Sequence, residues 1–394
     1  MNLPKGFFAN GLHCGIKKNG KKDLSLFYSE KPCVAAGVFT KNIFKAAPVL
    51  VSQKNIKNKI HCIAANSGCA NACTGERGIG DAKKICELTA AQLNVKSENI
   101  LVASTGVIGQ YLPMDKIKKG IHKLCHSVTL SLCHSPLSAV EGIMTTDTFS
   151  KIKNVKLKIK NSEITIWGCA KGSGMIEPNL ATMLSFILTD AQITKDALSR
   201  ALKIATELSF NCLTVDGDTS TNDTVFALAN GVAKNKIISE GKNFQLFCAQ
   251  LTAVCIELTK MLAHDGEGAT KLITVNVMGA KNIYDAKKIA KTVANSPLVK
   301  TAIFGNDANW GRIVAAIGRS GVMVDSKKVD VSFGNLCVFK KGHPVSFSEE
   351  IAKKIILQKS VSININLNSG KEYATVYTCD FSDGYIKVNA SYRS

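Results

Sequence analysis

The pattern of hydrophobic and polar positions along the chain predicts strands in six segments. Four apolar runs have the length and residue types of buried strands, at residues 60–65, 100–103, 183–189 and 272–278. Two further segments, residues 155–160 and 361–367, alternate strictly between apolar and polar residues. Each of these two is expected to form a strand with one face in solvent.

Helical spacing appears between these strands. Apolar residues recur every three or four positions over residues 117–125, behind an N-cap candidate at Asp115, and over residues 198–208, after Thr194. The chain is therefore expected to mix helices and strands, with helices covering the sheets. A strand-like stretch at Tyr385–Val388 precedes a polar C-terminal end.

The longest apolar helix face runs over residues 247–262, and this helix is expected to end near Asp265-Gly266. The window 246–262 is the most apolar long stretch of the chain. Gln250, Glu257 and Lys260 interrupt it, so a buried helix is predicted and not a membrane span.

Composition bounds the fold but points weakly to function. The 394 residues, 45% hydrophobic and 20% charged, suffice for one large or two medium domains, and eight prolines leave no proline-rich linker between them. The net charge of +20 suggests nucleic acid or an acidic membrane as partner. However, five of the 50 basic residues are arginine and the lysines are scattered, which favours a solvated surface with neither partner.

The 14 cysteines do not have the spacing of a metal or disulfide framework. No Cys-x-x-Cys pair occurs, and most cysteines lie among apolar residues, so free cysteines in a reducing cytoplasm and no metal site are expected. Residues 1–15 have no sustained apolar run, and no signal peptide is predicted there.

The segment 171–191 has the layout of a self-cleaving enzyme. A glycine-bearing stretch with Pro178 runs into Ala181-Thr182, and an apolar strand follows at once. In N-terminal-threonine enzymes the hydroxyl attacks the preceding carbonyl, an N-to-O acyl shift forms an ester, and water releases a new N-terminus. The freed amine, with a reference pKa near ~8, then serves as base for that hydroxyl. From spacing alone, an ordinary strand threonine at position 182 is the commoner explanation.

This segment resembles the cleavage site of the glutamate N-acetyltransferase family of arginine biosynthesis, also called the ornithine acetyltransferase family. Further segments resemble that family, in the same order along the chain. They are Gly15-Ile16-Lys17, Ala36-Gly37-Val38-Phe39-Thr40, Ser104-Thr105-Gly106-Val107, Met144-Thr145-Thr146-Asp147-Thr148, Asp216 to Asp223, His264-Asp265-Gly266-Glu267-Gly268, Trp310-Gly311-Arg312 and Val388 to Ser394.

The resemblance implies an α/β (α+β) fold of N-terminal-nucleophile-like layered sheets covered by helices, similar to the DmpA/ArgJ type. It also implies cleavage between Ala181 and Thr182, giving an α chain of residues 1–181 and a β chain of residues 182–394. The two chains would share one intertwined globular unit, and two copies of each would form a cytoplasmic heterotetramer.

The implied reaction is a ping-pong acetyl transfer. Thr182 would take the acetyl group from N2-acetyl-L-ornithine, and L-glutamate would accept it, without a diffusible cofactor. Thr105 and Gly106 match the oxyanion pair, which stabilises the negative oxygen of each tetrahedral intermediate. The substrate-binding set matches Thr148, Lys171, Thr182, Glu267, Asn389 and Ser394. Thr145 and Thr146 compete with Thr148 for that contact.

Three questions stay open at this point. Acetyl-CoA is an alternative acetyl donor that the residues neither require nor exclude. An N-terminal-nucleophile amidase or aminopeptidase would use the same cleavage chemistry and release acetate to water. A basic nucleic-acid-binding protein is the non-enzymatic alternative, and it predicts steeply salt-dependent binding.

Overall fold

The computed structural model describes residues 2–129, 135–177 and 183–391. These residues form two compact units, each with its own sheet. Of the described residues, the first unit contains those within 2–172, 183–211 and 219–258. The second contains 173–177, 212–218 and 259–391. Both units combine strands with covering helices, so the predicted mixed α and β fold is confirmed.

The first unit is built on an eight-stranded sheet in the order β4-β3-β2-β8-β7-β6-β5, with β1 paired to β2. Its strands are β1 (Phe7–Leu12), β2 (Leu24–Phe39), β3 (Ile60–Cys69), β4 (Ile100–Val107), β5 (Lys151–Ile159), β6 (Ser162–Lys171), β7 (Leu184–Thr189) and β8 (Thr224–Ala229). Its helices are α1 (Ala47–Asn55), α2 (Gly75–Leu93), α3 (Met114–Thr129), α4 (Pro136–Ile143), α5 (Lys195–Leu208) and the first part of α6 (Gly241–His264).

Strand β2 joins the two halves of this sheet. Its first part pairs with β1 and β3, and its second part pairs with β8, with an irregular register between Tyr28 and Cys33. Strands β3 and β4 run parallel, and so do β7 and β8. Strand β6 pairs with β5 and β7 in antiparallel register. The ends of β4, β6 and β8 are therefore each hydrogen-bonded to a neighbouring strand.

Strands β3 and β4, at one end of this sheet, are buried on both faces. Alternate residues of β3 and β4 belong to different apolar clusters: Ile63 and Leu101 to one, Cys62 and Val102 to the other. Helix α4 contributes to the first cluster, and α2 and α3 contribute to the second. Burial on both faces explains why these strands read as continuous apolar runs in the sequence.

The second unit is built on a six-stranded sheet in the order β12-β11-β10-β13-β9-β14. Its strands are β9 (Leu272–Ala280), β10 (Asp330–Phe333), β11 (Leu336–Lys340), β12 (His343–Pro344), β13 (Ser360–Asn366) and β14 (Glu372–Cys379). Its helices are α7 (Ile283–Ala294), α8 (Pro297–Phe304), α9 (Trp310–Gly318), α10 (Glu349–Ile356) and α11 (Asp383–Ala390).

One face of this second sheet is apolar and the other is polar. Val275, Ile363 and Val376 lie in a single cluster with the apolar faces of α7 to α10. On the opposite face, Asn276 donates to Asn364 at 2.8 Å and accepts from Thr375 at 2.8 Å. The alternation of apolar and polar residues in β13 is the sequence signature of this arrangement.

Most elements predicted from periodicity are present. The four apolar runs correspond to β3, β4, β7 and β9, and the two alternating segments to β5 and β13. The predicted helices are α3, α5 and α6, and α6 ends at His264, beside the expected stop. Thr194 caps α5, where its side chain accepts from the backbone nitrogen of Ala197 at 3.2 Å.

Two local predictions are wrong. Tyr385–Val388 is not a strand but lies within α11, because Ser382 caps this helix by accepting from the nitrogen of Gly384. Asp115 does not precede its helix; it is the second residue of α3 and lies in the first turn, where a negative charge is also favourable.

Helix α6 is the one described helix long and apolar enough to cross a membrane by length and composition. Half of its most apolar window is buried. Phe247, Leu251 and Leu258, on the face that the sequence predicted, are fully buried. The cysteines of the described ranges are free and most of them are buried, as expected.

We expect the core of the second sheet to tolerate truncation poorly. Ile363 is 0% exposed in β13, so Ile363→Ala removes packed methyl groups and should lower the free energy of unfolding by about 2–5 kcal/mol. Ile351→Ala, at a position 50% exposed on α10, should change it by less than about 0.5 kcal/mol. Chemical denaturation of both variants checks this, and equal losses would contradict the assigned core.

Candidate active site

The predicted oxyanion pair, Thr105 and Gly106, lies at the end of β4. There Gly106 pairs with Gly68 of the parallel strand β3, and its φ is +127°. A Cβ on Gly106 would stand 2.6 Å from the backbone nitrogen of Cys69 and closer still to the carbonyl carbon of Gly68. Only glycine fits this close approach of two backbones.

Two buried asparagines hold the chain on either side of this glycine pair. Asn222, just before β8, donates from its amide to the carbonyls of Ala70 at 2.6 Å and Ser104 at 2.8 Å. Asn66 accepts from the Ser104 hydroxyl at 2.6 Å and donates to the Cys69 carbonyl at 2.9 Å. Both the backbone and the side chain of Ser104 are therefore fixed, which positions Thr105 next to it.

Lys171 brings a positive charge to the oxyanion pair. It is the last residue of β6, is 7% exposed, and donates from Nζ to the Thr105 hydroxyl oxygen at 2.9 Å. A hydroxyl that accepts from an ammonium keeps its own proton for another acceptor. The Thr105 O–H, on the residue that directly precedes Gly106, is therefore left to donate to another acceptor.

The Asp147 carboxylate organises the loop before β5. Its Oδ1 accepts from Lys151 Nζ and from the Gly172 nitrogen, both at 2.7 Å, and its Oδ2 accepts from the Thr145 nitrogen at 2.9 Å. Burial acts to raise the pKa of Asp147, but Lys151 and Lys171 outweigh it and lower that pKa to about 2. Asp147 is therefore a buried, ionised group tied to the residue that follows Lys171.

Asp223 is a second buried carboxyl near Lys171. It precedes β8, is 3% exposed, and its Oδ2 has no hydrogen-bond partner among the described residues. Burial raises the pKa of Asp223 well above its usual value, and the charge of Lys171 opposes this only in part. A carboxyl in this state favours its neutral form more than Asp147 does.

In the second unit, the predicted residues Glu267 and Asn389 contact each other. Asn389 of α11 donates from its amide to Glu267 Oε2 at 2.9 Å. The Glu267 nitrogen donates to the Ser173 carbonyl at 2.8 Å, and Gly174 lies so close that a Cβ there would overlap the Glu267 carboxylate. Glu267 is itself buried. It is a fixed negative group suited to a cation.

The structure thus brings together two pairs of predicted residues, Lys171 with Thr105 and Glu267 with Asn389. Thr148 is exposed and follows Asp147, while Thr145 and Thr146 are half-buried. The predicted nucleophile and cleavage site, Ala181 and Thr182, and the predicted contact Ser394 lie outside the described residues.

Four side chains of this region were not singled out as site residues by the sequence: Asp147, Lys151, Asn222 and Asp223. Three of them, Asp147, Asn222 and Asp223, lie inside polar motifs that resemble the family, but the sequence alone assigns them no role. The sequence does not indicate that Lys151 is buried, because the same strand contains Lys153 and Lys156, which are not buried. Within the described ranges, no group of three His, Cys, Asp or Glu side chains could hold a metal ion.

Comparison with known proteins gives consistent results. The profile of the ArgJ family matches residues 8–394. The "Arginine biosynthesis bifunctional protein ArgJ 1" of Clostridium acetobutylicum is 50% identical to this chain, over 98% of this chain and 96% of its own length.

Two solved structures are also similar. The crystal structure of an arginine biosynthesis bifunctional protein ArgJ from Bacillus halodurans is 44% identical, covers 53% of this chain and 99% of its own, and has a TM-score of 0.52. It bears out the predicted ArgJ-like fold class. An ornithine acetyltransferase of Mycobacterium tuberculosis, solved with ornithine, is 39% identical over 45% of this chain and 94% of its own, with a TM-score of 0.41.

The glycine pair gives a first prediction for this region. Gly106→Ala should lower the free energy of unfolding by at least about 2 kcal/mol, because the methyl group overlaps Gly68 and the backbone conformation is strained. Gly80→Ala, in open space on α2, should be neutral or stabilising by up to about 1 kcal/mol. Urea unfolding of both variants measures the difference, and similar values would show that β3 and β4 can separate.

Asp147 gives a prediction for pH. Because folding lowers its pKa from 3.8 to about 2, its contribution to stability is complete above pH 3.8 and is lost as the pH falls towards 2. The difference in unfolding free energy between wild type and Asp147→Asn should therefore shrink by about 2 kcal/mol from pH 5 to pH 2. Asp383→Asn, which removes an exposed partner of Lys387, should follow the wild type closely. A constant difference for Asp147→Asn would contradict the lowered pKa.

Proposed function

The chain belongs to the ArgJ family and is an acetyltransferase of arginine biosynthesis, and we propose that it moves acetyl from N2-acetyl-L-ornithine to L-glutamate through acetyl-Thr182. The observation that carries this mechanism is the hydrogen bond from Lys171 to Thr105, beside Gly106. It supplies a charged neighbour, a hydroxyl donor and a close backbone at one point, which are the parts of an oxyanion hole.

We place the nucleophile at Thr182, released by cleavage after Ala181. Strand register supports this placement from both sides: Lys171 pairs with Leu184, and the Thr224 nitrogen donates to the Met183 carbonyl at 2.8 Å. The chain immediately after Thr182 is thus anchored in a sheet that also contains the oxyanion strand β4.

The two half-reactions balance without an external cofactor. The Thr182 oxygen attacks the acetyl carbonyl while its proton passes to the freed α-amine of Thr182, and the carbonyl oxygen becomes negative. Thr105 O–H and Gly106 N–H stabilise that oxygen until the C–N bond breaks and ornithine leaves with the proton. Glutamate then attacks the ester by the same route in reverse, and the Thr182 hydroxyl is restored.

Substrate recognition is assigned by charge. We infer that Glu267, held by Asn389, binds the cationic end of ornithine, and that Lys171, Thr148 and Ser394 contribute the remaining polar contacts. The Asn389 side chain is also held within α11, because its amide donates to the Tyr385 carbonyl at 3.0 Å.

The assembled enzyme would contain two α chains and two β chains. After cleavage, β7 would stay paired with β6 and β8 with β2, so each α chain would remain bound to its β chain. A cytoplasmic location is proposed from the free cysteines and from the part its relatives have in amino-acid biosynthesis.

Denaturing mass analysis tests the cleavage. Wild type should give two fragments, the second beginning at Thr182, whereas Thr182→Ala should give one intact chain without acetyl transfer because no hydroxyl attacks Ala181. Thr182→Ser, which keeps a hydroxyl, should still be cleaved. An intact and active wild type would contradict the mechanism.

Product analysis separates the proposed transfer from hydrolysis. With N-acetylornithine and glutamate the cleaved enzyme should form acetylglutamate, whereas acetate release regardless of glutamate would indicate the amidase alternative. Replacing N-acetylornithine by acetyl-CoA tests the second donor, since a thioester could acylate the same hydroxyl.

A further inference from the structure

Lys17 lies in a loop that is built around one buried carboxylate. Asp23 accepts from the backbone nitrogens of Cys14 at 2.6 Å, Ile16 at 2.7 Å and Lys17 at 2.9 Å, and from that of Gly15 at 3.2 Å. Asp23 is 0% exposed, and these hydrogen bonds lower its pKa although burial acts to raise it. The backbone at Lys17 is therefore held in one conformation.

The Lys17 ammonium has one N–H beyond those it uses within the protein. It donates to the carbonyls of Lys22 and Met144, both at 2.7 Å, and makes no further hydrogen bond to the described residues. An ammonium has three donors, and Lys17 is half-buried. The third donor can therefore reach a ligand without any rearrangement of the first two.

The position of Lys17 links the two parts of the proposed site in the first unit. A Cβ added to Gly68 would lie 3.1 Å from Lys17 Cγ, so the lysine stem packs against the residue that pairs with Gly106. Met144, which the ammonium binds, directly precedes the loop of Thr145 to Thr148. Lys17 is thus fixed between the oxyanion strands and the loop proposed to contact substrate.

Lys17 has both positive and negative neighbours, and its negative neighbours already have partners. The pKa of Lys17 is lowered to about 8, chiefly by burial and in smaller part by the ammoniums of Lys171 and Lys21, while Asp23 and Asp147 act to raise it. Asp147 already accepts from Lys151, and Asp23 from four backbone nitrogens. An incoming carboxylate would therefore relieve repulsion between Lys17 and Lys171.

We propose that Lys17 is a further substrate-binding residue, which donates its third N–H to the α-carboxylate of the amino-acid substrate. This inference rests on the proposed function for the identity of the ligand. The α-carboxylate is chosen because N-acetylornithine, ornithine and glutamate share it, so one fixed ammonium can serve both half-reactions. Gly15-Ile16-Lys17 is one of the segments that resemble the family, and the mechanism proposed above gives it no role.

Calorimetric binding of ornithine and of putrescine, which lacks the carboxylate, tests the proposal on the cleaved enzyme without turnover. Wild type should bind ornithine more tightly than putrescine. Lys17→Met should weaken ornithine binding by roughly 10- to 100-fold and leave putrescine binding within about 3-fold, as expected for the loss of a hydrogen bond to a charged group. Lys17→Arg should retain most of the preference for ornithine.

The pH dependence of KM for N-acetylornithine gives a second readout, which a purely structural lysine would not move. Lys17 loses its charge as the pH rises through about 8, so KM of the wild type should rise above that pH. In Lys17→Arg this rise should be absent up to pH 10, because arginine stays protonated. Asp23, Asp147, Lys21 and Lys171 are the charged groups facing Lys17, and all are retained in this variant.

The outcomes separate the two proposals. Equal loss of ornithine and putrescine binding in Lys17→Met, or an unchanged preference for ornithine, overturns the role of Lys17 even if the enzyme transfers acetyl. Absence of acetyl transfer in a wild type that shows the predicted carboxylate preference overturns the proposed function alone. If Lys17→Met does not fold, the KM profile of Lys17→Arg decides, and a rise identical to that of wild type overturns the proposal.

Discussion

The close approach of β3 and β4 at Gly68 and Gly106 is the constraint on which the first unit's polar region depends. Backbone atoms occupy the space of a side chain there, so Thr105 stands next to a peptide group that no Cβ shields. Asn66 accepts from Ser104 of β4, and Asn222 donates to both Ala70 and Ser104, because the two strands end together in parallel register. Because Gly68 has no side chain, the aliphatic part of the Lys17 side chain can pack against it.

The ion pair of Asp147 and Lys151 matters more for the backbone positions that it fixes than for its net attraction. The side chains of Asp147 and Lys151 are both fully buried, so much of their mutual attraction is offset by the cost of removing the two ions from water. Their value is positional: Asp147 fixes the Gly172 nitrogen and the Thr145 nitrogen at once, and so sets the strand end that carries Lys171. Asp223, close to Lys171, has the opposite pKa shift because burial raises its pKa and no donor to its Oδ2 offsets that effect.

The sequence predicts the elements that burial dictates and misses what only proximity creates. Strands such as β3 and β4 can be predicted because both of their faces are apolar. Thr105, Lys171 and Glu267 are predicted as site residues because the polar motifs that contain them resemble a family. Residues 385–388 were misread because short apolar alternation fits a strand or a helix, and the Ser382 cap decides between them.

Other features have no local signature at all. In the sequence, Asp23 is a single aspartate that follows several lysines, and nothing nearby shows that four backbone nitrogens donate to it. The amide of Asn222 donates to Ala70 and Ser104, which are more than a hundred positions away in the sequence. Lys151 is buried in a strand whose other lysines are half-buried or exposed. Such contacts depend on the order of strands in the sheet, and this order cannot be predicted from the spacing of residues along the chain.

Sheet order also bears on what a cut at Ala181-Thr182 would mean physically. Strands β7 and β8 follow that bond but lie between β2 and β6, which precede it, so backbone hydrogen bonds cross the cut along two strand pairs. The first unit therefore needs residues from both products to complete its sheet, and its boundaries do not follow the division at residue 181. Cleavage would therefore leave this sheet continuous, because the strand pairs formed by residues on either side of the cut stay hydrogen-bonded.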